Sequence, residues 1–502
     1  MNKTYVFFVG GTGARVLRSL TMLLASGCRM KDGGAIVPVV IDYDVKNGDL
    51  KEAKDLLDCY CNISKTAKYE EQEEGFFRQK LDIKEGSYAA IQYENSNKTF
   101  GDFLSYDSMA NRDGLAPMKK MLESLFDTSD NQVTAELKLD MTVGFKGNPN
   151  IGSVVFDDYF RNKDWHYDDI ASSVQPGDRI FVVGSIFGGT GSSGIPQLIK
   201  NFEKKGSSSQ GNYQGVQNAI KGACLVLPYF GVKNSDESAV DSRIFNSKAK
   251  AALSYYDKEI NSSLDEIYYV GCKDIGQYEN HQGGDEQKND AHLVELIAAL
   301  SVLEFANRKF DYDHKDNGTT AYEFGINHGY NEDNMKLHDT SYLDIFNFDG
   351  ANPAENYYIY HLNAFAYFCK YYMDYTYSGK DDKHGIFSSA QTYYKALGDY
   401  IGSSSEFGKQ LNYFAKEYRL WAEQMAHNEQ IKFKPFDFTK EKIDELLCVN
   451  EKKPYPKGVE NTMQMEMNKI AKEYEGKSVS GASIFLRCGY AAGCDAAQKI
   501  IK

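Results

Sequence analysis

Three short segments carry the residue types that chemistry with an oxyanion needs. The densest is Gly188-Gly189-Thr190-Gly191-Ser192-Ser193-Gly194. Glycines let main-chain N–H groups close round an anion, and Thr190, Ser192 and Ser193 add hydroxyl donors. A second segment, Gly10-Gly11-Thr12-Gly13, is followed by Arg15, whose planar fork of donors suits a phosphate. The third, Gly144-Phe145-Lys146-Gly147-Asn148-Pro149-Asn150-Ile151-Gly152, reads as a glycine/asparagine loop. Asp44, closing Val39-Val40-Ile41-Asp42-Tyr43-Asp44, sets a carboxylate just past a strand end, where α/β sheets bind ligands. Together they describe a nucleotide site built from several strand ends. No G-x-x-x-x-G-K-[ST] P-loop is present. Plainer alternatives stand beside each reading: a tight strand–helix connection for a glycine turn, a helix N-cap for Asp42 or Asp44, a solvated helix position for Arg15.

Apolar runs place these loops. Tyr5–Val9 and Arg179–Val183 read as buried strands that end at the Gly10 and the Gly188 segments respectively. Helices follow, one with Val16, Leu17, Leu20, Leu23 and Leu24 at helical spacing, the other from Ile195 to Phe202. A helix N-terminus adds free N–H groups and roughly half a positive charge. Strands are expected near 5–9, 37–42, 139–144, 179–184, 222–228 and 266–271, giving an α/β fold with a mostly parallel sheet covered on both faces. Residues 51–137 form an insertion with a charged stretch, Lys65 to Glu74, and a helix around Met118–Phe126. Residues 206–214 read as a surface loop. A broadly apolar helix from about Gln287 to Asn307 is expected to lie buried between domains. Residues 408–432 and 480–501 also read as helical. The aromatic run Asn356-Tyr357-Tyr358-Ile359-Tyr360-His361 reads as a helical core, with a stacking platform as the alternative.

Across residues 1–310 the order and rough spacing of these segments resemble the tubulin/FtsZ superfamily of GTPases, in particular a divergent prokaryotic tubulin-like group. Gly188-Gly189-Thr190-Gly191-Ser192 is similar to the family's phosphate-wrapping loop, and Gly10-x-x-Gly13 to its first loop. Gly147-Asn148-Pro149-x-x-Gly152 resembles the third loop, which closes over the terminal phosphate. Val226-Leu227-Pro228-Tyr229-Phe230 resembles the strand and turn that follow. The resemblance implies a nucleotide-binding domain over 1–286, a central helix over 287–310 and a C-terminal domain over 311–502. The helical character of that last part departs from the family's usual strands.

The same resemblance implies GTP or GDP with Mg²⁺ as ligands, Asp44 lying near the hydrated Mg²⁺ or the phosphates. It implies head-to-tail self-assembly, in which acids of one subunit complete the next subunit's site. Asp311 and Asp313 are the local candidates for those acids, a solvated acidic loop being the alternative. Family members read guanine with side-chain amides, but no asparagine follows Ile267-Tyr268-Tyr269-Val270. Asn289 or Asp290 at the central helix, or Lys273 and Asp274, are left to read the base, whose identity stays open.

Two other functions compete. A non-hydrolysing scaffold would use nucleotide only to fix its shape. An NAD(P)-dependent oxidoreductase is suggested by Gly11-x-Gly13 with Asp42, yet Val16 stands where that fingerprint wants Gly or Ala, and two glycine loops go unexplained. Composition narrows the field further. The 502 residues exceed one typical domain, so two or three are expected. A net charge of −14 argues against nucleic acid as partner, because phosphate contacts need basic patches. No run approaches the ~18–20 apolar residues of a membrane span, and the N-terminus enters a strand directly rather than a signal peptide. The nine cysteines are scattered with no C-x-x-C pair, and Cys59-x-Cys61 has no histidine nearby, so a reduced cytoplasmic protein is expected. His281, His292 and His314 fit no metal or triad pattern. Self-association is the expected partnership, with any other protein partner unread.

Overall fold

The computed structural model describes residues 2–309 apart from 45, 70–72, 85–98, 110, 113, 127–134, 142–143, 162–166, 204–213, 233–244, 273–275, 279–283 and 285–287, and then 318–326, 357–376, 401–428, 433–447 and 457–501. The strands are β1 (Lys3–Val9), β2 (Ala35–Ile41), β3 (Arg179–Ser185), β4 (Ile220–Val226), β5 (Phe230–Val232), β6 (Glu266–Cys272), β7 (Gly276–Tyr278) and β8 (Thr320–Ile326). Six of them form one sheet in the order β2-β1-β3-β4-β6-β8, parallel throughout. β5 and β7 make a separate parallel pair. Strands β1 to β4 are near-continuous apolar runs because both faces of a parallel sheet are covered.

The chain leaves β1 for β2 on one side and crosses to β3 on the other. Val9 pairs with Gly184, so the carboxyl ends of β1 and β3 lie side by side where the order reverses. Open α/β sheets bind ligands in the crevice at such a point.

The helices that matter here are α1 (Gly10–Ala25), α2 (Gly48–Ala67), α3 (Ala116–Leu125), α4 (Pro149–Arg161), α5 (Thr190–Glu203), α6 (Phe245–Glu259), α7 (Leu293–Asn307), α8 (Tyr357–Tyr371), α9 (Glu406–His427), α10 (Val459–Glu473) and α11 (Gly481–Ile501). α7 is apolar all round and buried, as a helix enclosed by other elements must be. Tyr357–Tyr371 is a core helix: Phe365 packs edge-on against Phe76, Phe77 and Tyr418. The C-terminal helices are built onto the α/β layer. Trp421 Nε1 donates to Ser19 Oγ at 3.2 Å, Arg18 donates to Gln424 at 3.0 Å, and Arg487 is paired with Glu73. One contiguous apolar core runs through both halves.

Several expectations are corrected. Residues 139–144 are no strand where described: a 3₁₀ turn at Glu136–Lys138 precedes an isolated bridge between Asp140 and Thr99. Pro149 to Gly152 is not loop but the first turn of α4, where proline's fixed φ and missing N–H are no handicap. α7 starts at Leu293 rather than near Gln287, because His292 caps it through Nδ1 and Glu295 closes the capping box. The sheet does not end before residue 310, since β8 extends it. Most of 206–214 lies outside the described residues.

Candidate functional site

The three glycine segments meet at the carboxyl edge of β1 and β3. Gly10 opens α1 with φ of +73°, and a Cβ there would lie 3.2 Å from both Gly191 N and Thr190 Cβ. On the opposite flank, a Cβ on Gly189 would lie 3.0 Å from Gly147 N and Phe145 Cβ. A Cβ on Gly144 would face Asp44 Cβ and Thr190 Oγ1 at 3.9 Å each. Thr190 therefore stands where all three loops come together, with Asp44 at their border. Gly191 is fixed by crowding: a Cβ would collide with the carbonyl oxygen of Ser185 and sit 3.1 Å from its nitrogen.

The donors around this cleft divide into two groups. Val9 gives α1 no side-chain cap, so the N–H groups of the Gly10-Gly11-Thr12 turn have no intrahelical partner. The serine hydroxyls point the other way. Ser192 Oγ donates to the carbonyl of Gly188, and Ser193 Oγ to that of Gly189 at 2.7 Å. The expected hydroxyl donor Ser192 thus stiffens its own loop. Gly13 serves packing, since a Cβ would lie 2.7 Å from the carbonyl carbon of Phe8. Asn148 holds the start of α4: its N–H donates to Phe145 O at 2.8 Å and its carbonyl accepts from Gly152 N at 3.2 Å.

Arg15 does not reach into the cleft as its spacing suggests. It is buried, donating through Nε to Glu295 Oε1 at 2.6 Å, through Nη1 to Asp49 Oδ2 at 2.6 Å and through Nη2 to the Tyr229 hydroxyl at 2.7 Å. A longer bond, 3.3 Å, reaches Thr12 Oγ1. Burial opposes the guanidinium charge, but Tyr229, Asp49 and Glu295 outweigh it and hold Arg15 protonated. Burial pushes the Glu295 carboxyl up against the pull of Arg15. His292 beside them is pushed down to about 3 by burial and then by the charge of Arg15, so it caps α7 as neutral imidazole. This brace joins α1, α2, α7 and the turn after β4 beneath the loops.

The carboxylates after β2 have separate tasks. Asp42 Oδ1 accepts from Asp44 N at 3.2 Å and Oδ2 from Asn47 Nδ2 at 3.3 Å, and burial raises its carboxyl to about 7. Both oxygens face its own loop, away from the role a dinucleotide ribose would ask of it. Asp44 Oδ1 accepts from Lys46 N at 3.0 Å and Oδ2 from Gly284 N at 2.7 Å. Neither aspartate caps α2. Asn47 does, its Oδ1 accepting from Asp49 N at 2.9 Å. Asn289 leans on Asp49, donating to it from its main-chain N and from Nδ2 at 2.9 Å each. Through Asp49 and Arg15 it is linked to Thr12. Asp290 is exposed, while Lys273, Asp274, Asp311 and Asp313 lie outside the described residues.

A residue that sequence reasoning missed stands on the third loop. Lys248 of α6 donates from Nζ to the carbonyl of Gly147. It stands 101 residues from Gly147 in the sequence, so no local motif signals it. Among the described residues, no group of three or more His, Cys, Asp or Glu side chains is placed to hold a metal ion. No described helix is long and apolar enough to cross a membrane. None of the eight described cysteines is joined in a disulfide.

Fold and site define an α/β protein with an all-parallel sheet whose glycine loops converge at the topological switch point. No protein-family model and no curated protein matches the chain.

Proposed function

We propose that this cleft binds the polyphosphate of a guanine nucleotide, and that the chain is a divergent tubulin/FtsZ-like GTP-binding protein. The observation that carries the reading is the convergence of three glycine loops on Thr190, two of them at the ends of β1 and β3, beside Asp44. Main-chain N–H groups of the α1 turn and the Thr190 hydroxyl would hold the phosphates. Mg²⁺ would supply charge neutralisation there. Asp44 fits it, because each of its oxygens accepts one N–H and keeps a lone pair, and a carboxylate with phosphate oxygens and waters is a usual Mg²⁺ set. Asn289 and its anchor Asp49 are the candidates for the base end.

In this reading the protein is a GTPase that self-assembles head to tail, Asp311 or Asp313 of one copy positioning water in the site of the next. Such a heterologous contact produces filaments unless its rotation closes. Thermal melting tests the ligand: GTP with Mg²⁺ should raise the melting temperature, since a ligand at 100 times its Kd contributes about 2.7 kcal/mol. Stabilisation by NAD(H) and not by GTP would replace this reading with the oxidoreductase.

A further inference from the structure

The segment that leads into α7 is held from two sides, one of them in the C-terminal half. On the α2 side, Lys288 Nζ pairs with Glu52 Oε1 at 3.0 Å, and Asn289 donates to Asp49 from its main-chain N and from Nδ2. On the α9 side, the buried Ala291 donates its N–H to Gln424 Oε1 at 3.1 Å. Arg18 Nη1, buried on α1, donates to the same oxygen at 3.0 Å. Both groups bonded to Oε1 are donors only, so the amide of Gln424 has one orientation, its carbonyl turned toward α1 and the approach to α7. The amide of Asn289 is fixed by the same logic. A carboxylate only accepts, so Nδ2 faces Asp49 and Oδ1 is the end left for a ligand.

We propose that Gln424 is a positioning residue for base selection. This rests on the nucleotide reading, with Asn289 at the base, and adds a contribution from the C-terminal helices, 133 residues along the chain from Ala291. Oδ1 of Asn289 is an acceptor. Guanine meets it with N2–H₂ and the adjoining N1–H, where adenine has an unprotonated N1. Such an acceptor selects only while it is held in place. Asn289 is two residues from Ala291, so the Gln424 carbonyl fixes the path of the main chain that carries it. Without that carbonyl the buried N–H of Ala291 loses its partner, and the segment shifts to satisfy it. Among the described residues Gln424 bonds to none of the glycine loops, so the phosphate end of the site keeps its shape.

Titration of the full chain with GTP, ATP and inorganic tripolyphosphate, each with Mg²⁺, tests this on wild type, Gln424→Met and Gln424→Glu. Wild type should bind GTP more tightly than ATP. Gln424→Met fills the space without a strong acceptor and should weaken GTP roughly 10-fold, the equivalent of one hydrogen bond, with ATP and tripolyphosphate within about 3-fold of wild type. Gln424→Glu keeps an oxygen for both donors and should retain GTP affinity. Should Gln424→Met not fold, Gln424→Asn withdraws the same amide by one methylene and should weaken GTP alone. Equal losses for the three ligands would make Gln424 a structural tie only and overturn the inference. Unchanged GTP affinity in Gln424→Met would overturn it as well. Wild type that binds tripolyphosphate but prefers neither base would remove Asn289 from the base, and the inference with it. Wild type that binds none of the three would instead remove the nucleotide reading itself.

Discussion

Replacing Arg15 by methionine should destabilise the protein rather than merely empty its cleft. Methionine fills most of the stem's volume but leaves Asp49 and Glu295 buried without the guanidinium that donates to each at 2.6 Å. Breaking a buried ion pair from one side costs ~3–5 kcal/mol, because the orphaned charge stays desolvated. Unfolding entropy is about 2.1 cal/mol/K per residue, so for a cooperative unit on the order of 400 residues this is a fall of roughly 4–6 °C in melting temperature. The deficit has a pH signature. Burial already raises the Glu295 carboxyl and Arg15 restrains it. With the arginine gone, Glu295 moves further up and takes a proton, so the cost is full at pH 8 and shrinks on acidification. Glu295→Gln added to Arg15→Met should restore part of the loss non-additively. Scanning fluorimetry without nucleotide reads all of this. A ligand-free melting temperature equal to wild type, combined with lost GTP affinity, would refute the brace and return Arg15 to the phosphate.

Gly191→Ala should abolish nucleotide binding, because its Cβ collides with Ser185 O and displaces the loop. Thr190→Val keeps shape but loses the hydroxyl, and calorimetric titration should read about a 10-fold weaker Kd. Asp42→Asn should stabilise the protein progressively as pH rises from about 4 to 7. The folded state holds a proton on Asp42 up to about 7 that the unfolded state releases near 3.8. Wild-type stability therefore falls across that window, by an upper figure of about 4 kcal/mol at ~1.4 kcal/mol per pH unit. A pH-independent difference in melting temperature would contradict it. If Asp311 or Asp313 completes a neighbour's site, GTP turnover per subunit should rise with protein concentration, and alanine at the responsible position should suppress turnover while nucleotide still binds. Concentration-independent turnover by a monomer would exclude the shared site.

β1 and β2 were legible because strands covered on both faces leave unbroken apolar runs such as Tyr5–Val9 and Ile36–Ile41, even though β2 lies at one edge of the sheet. β8 was not, since Thr320 to Glu323 on the sheet's edge is largely exposed and leaves no such run. The false strand at 139–144 has apolar Leu139, Met141 and Val143 in alternation, but Leu139 and Met141 are buried by tertiary packing instead. The start of α7 was misplaced because its cap is a histidine, outside the usual Ser, Thr, Asp and Asn set. At the site, the glycine loops announced themselves through composition, and the adjacency of the Gly10 and Gly188 loops follows from the pairing of β1 with β3; the third loop has no strand before it to signal its place. What composition could not convey was direction. The same guanidinium serves a phosphate or two carboxylates, and only the fold brings Glu295, 280 residues away, to Arg15. The serine hydroxyls likewise found carbonyls one helical turn back, a choice set by the local backbone.

Direct binding to the full chain tests most sharply whether the cleft around Thr190 holds a guanine nucleotide. Freshly purified protein should be denatured, its released nucleotide identified by chromatography, and the emptied protein titrated with GTP in Mg²⁺. GDP or GTP is expected in the released fraction, with one site per chain on titration and loss of that site in Gly191→Ala. Absence of any guanine nucleotide, with no GTP binding by the emptied wild-type protein, would contradict the nucleotide reading.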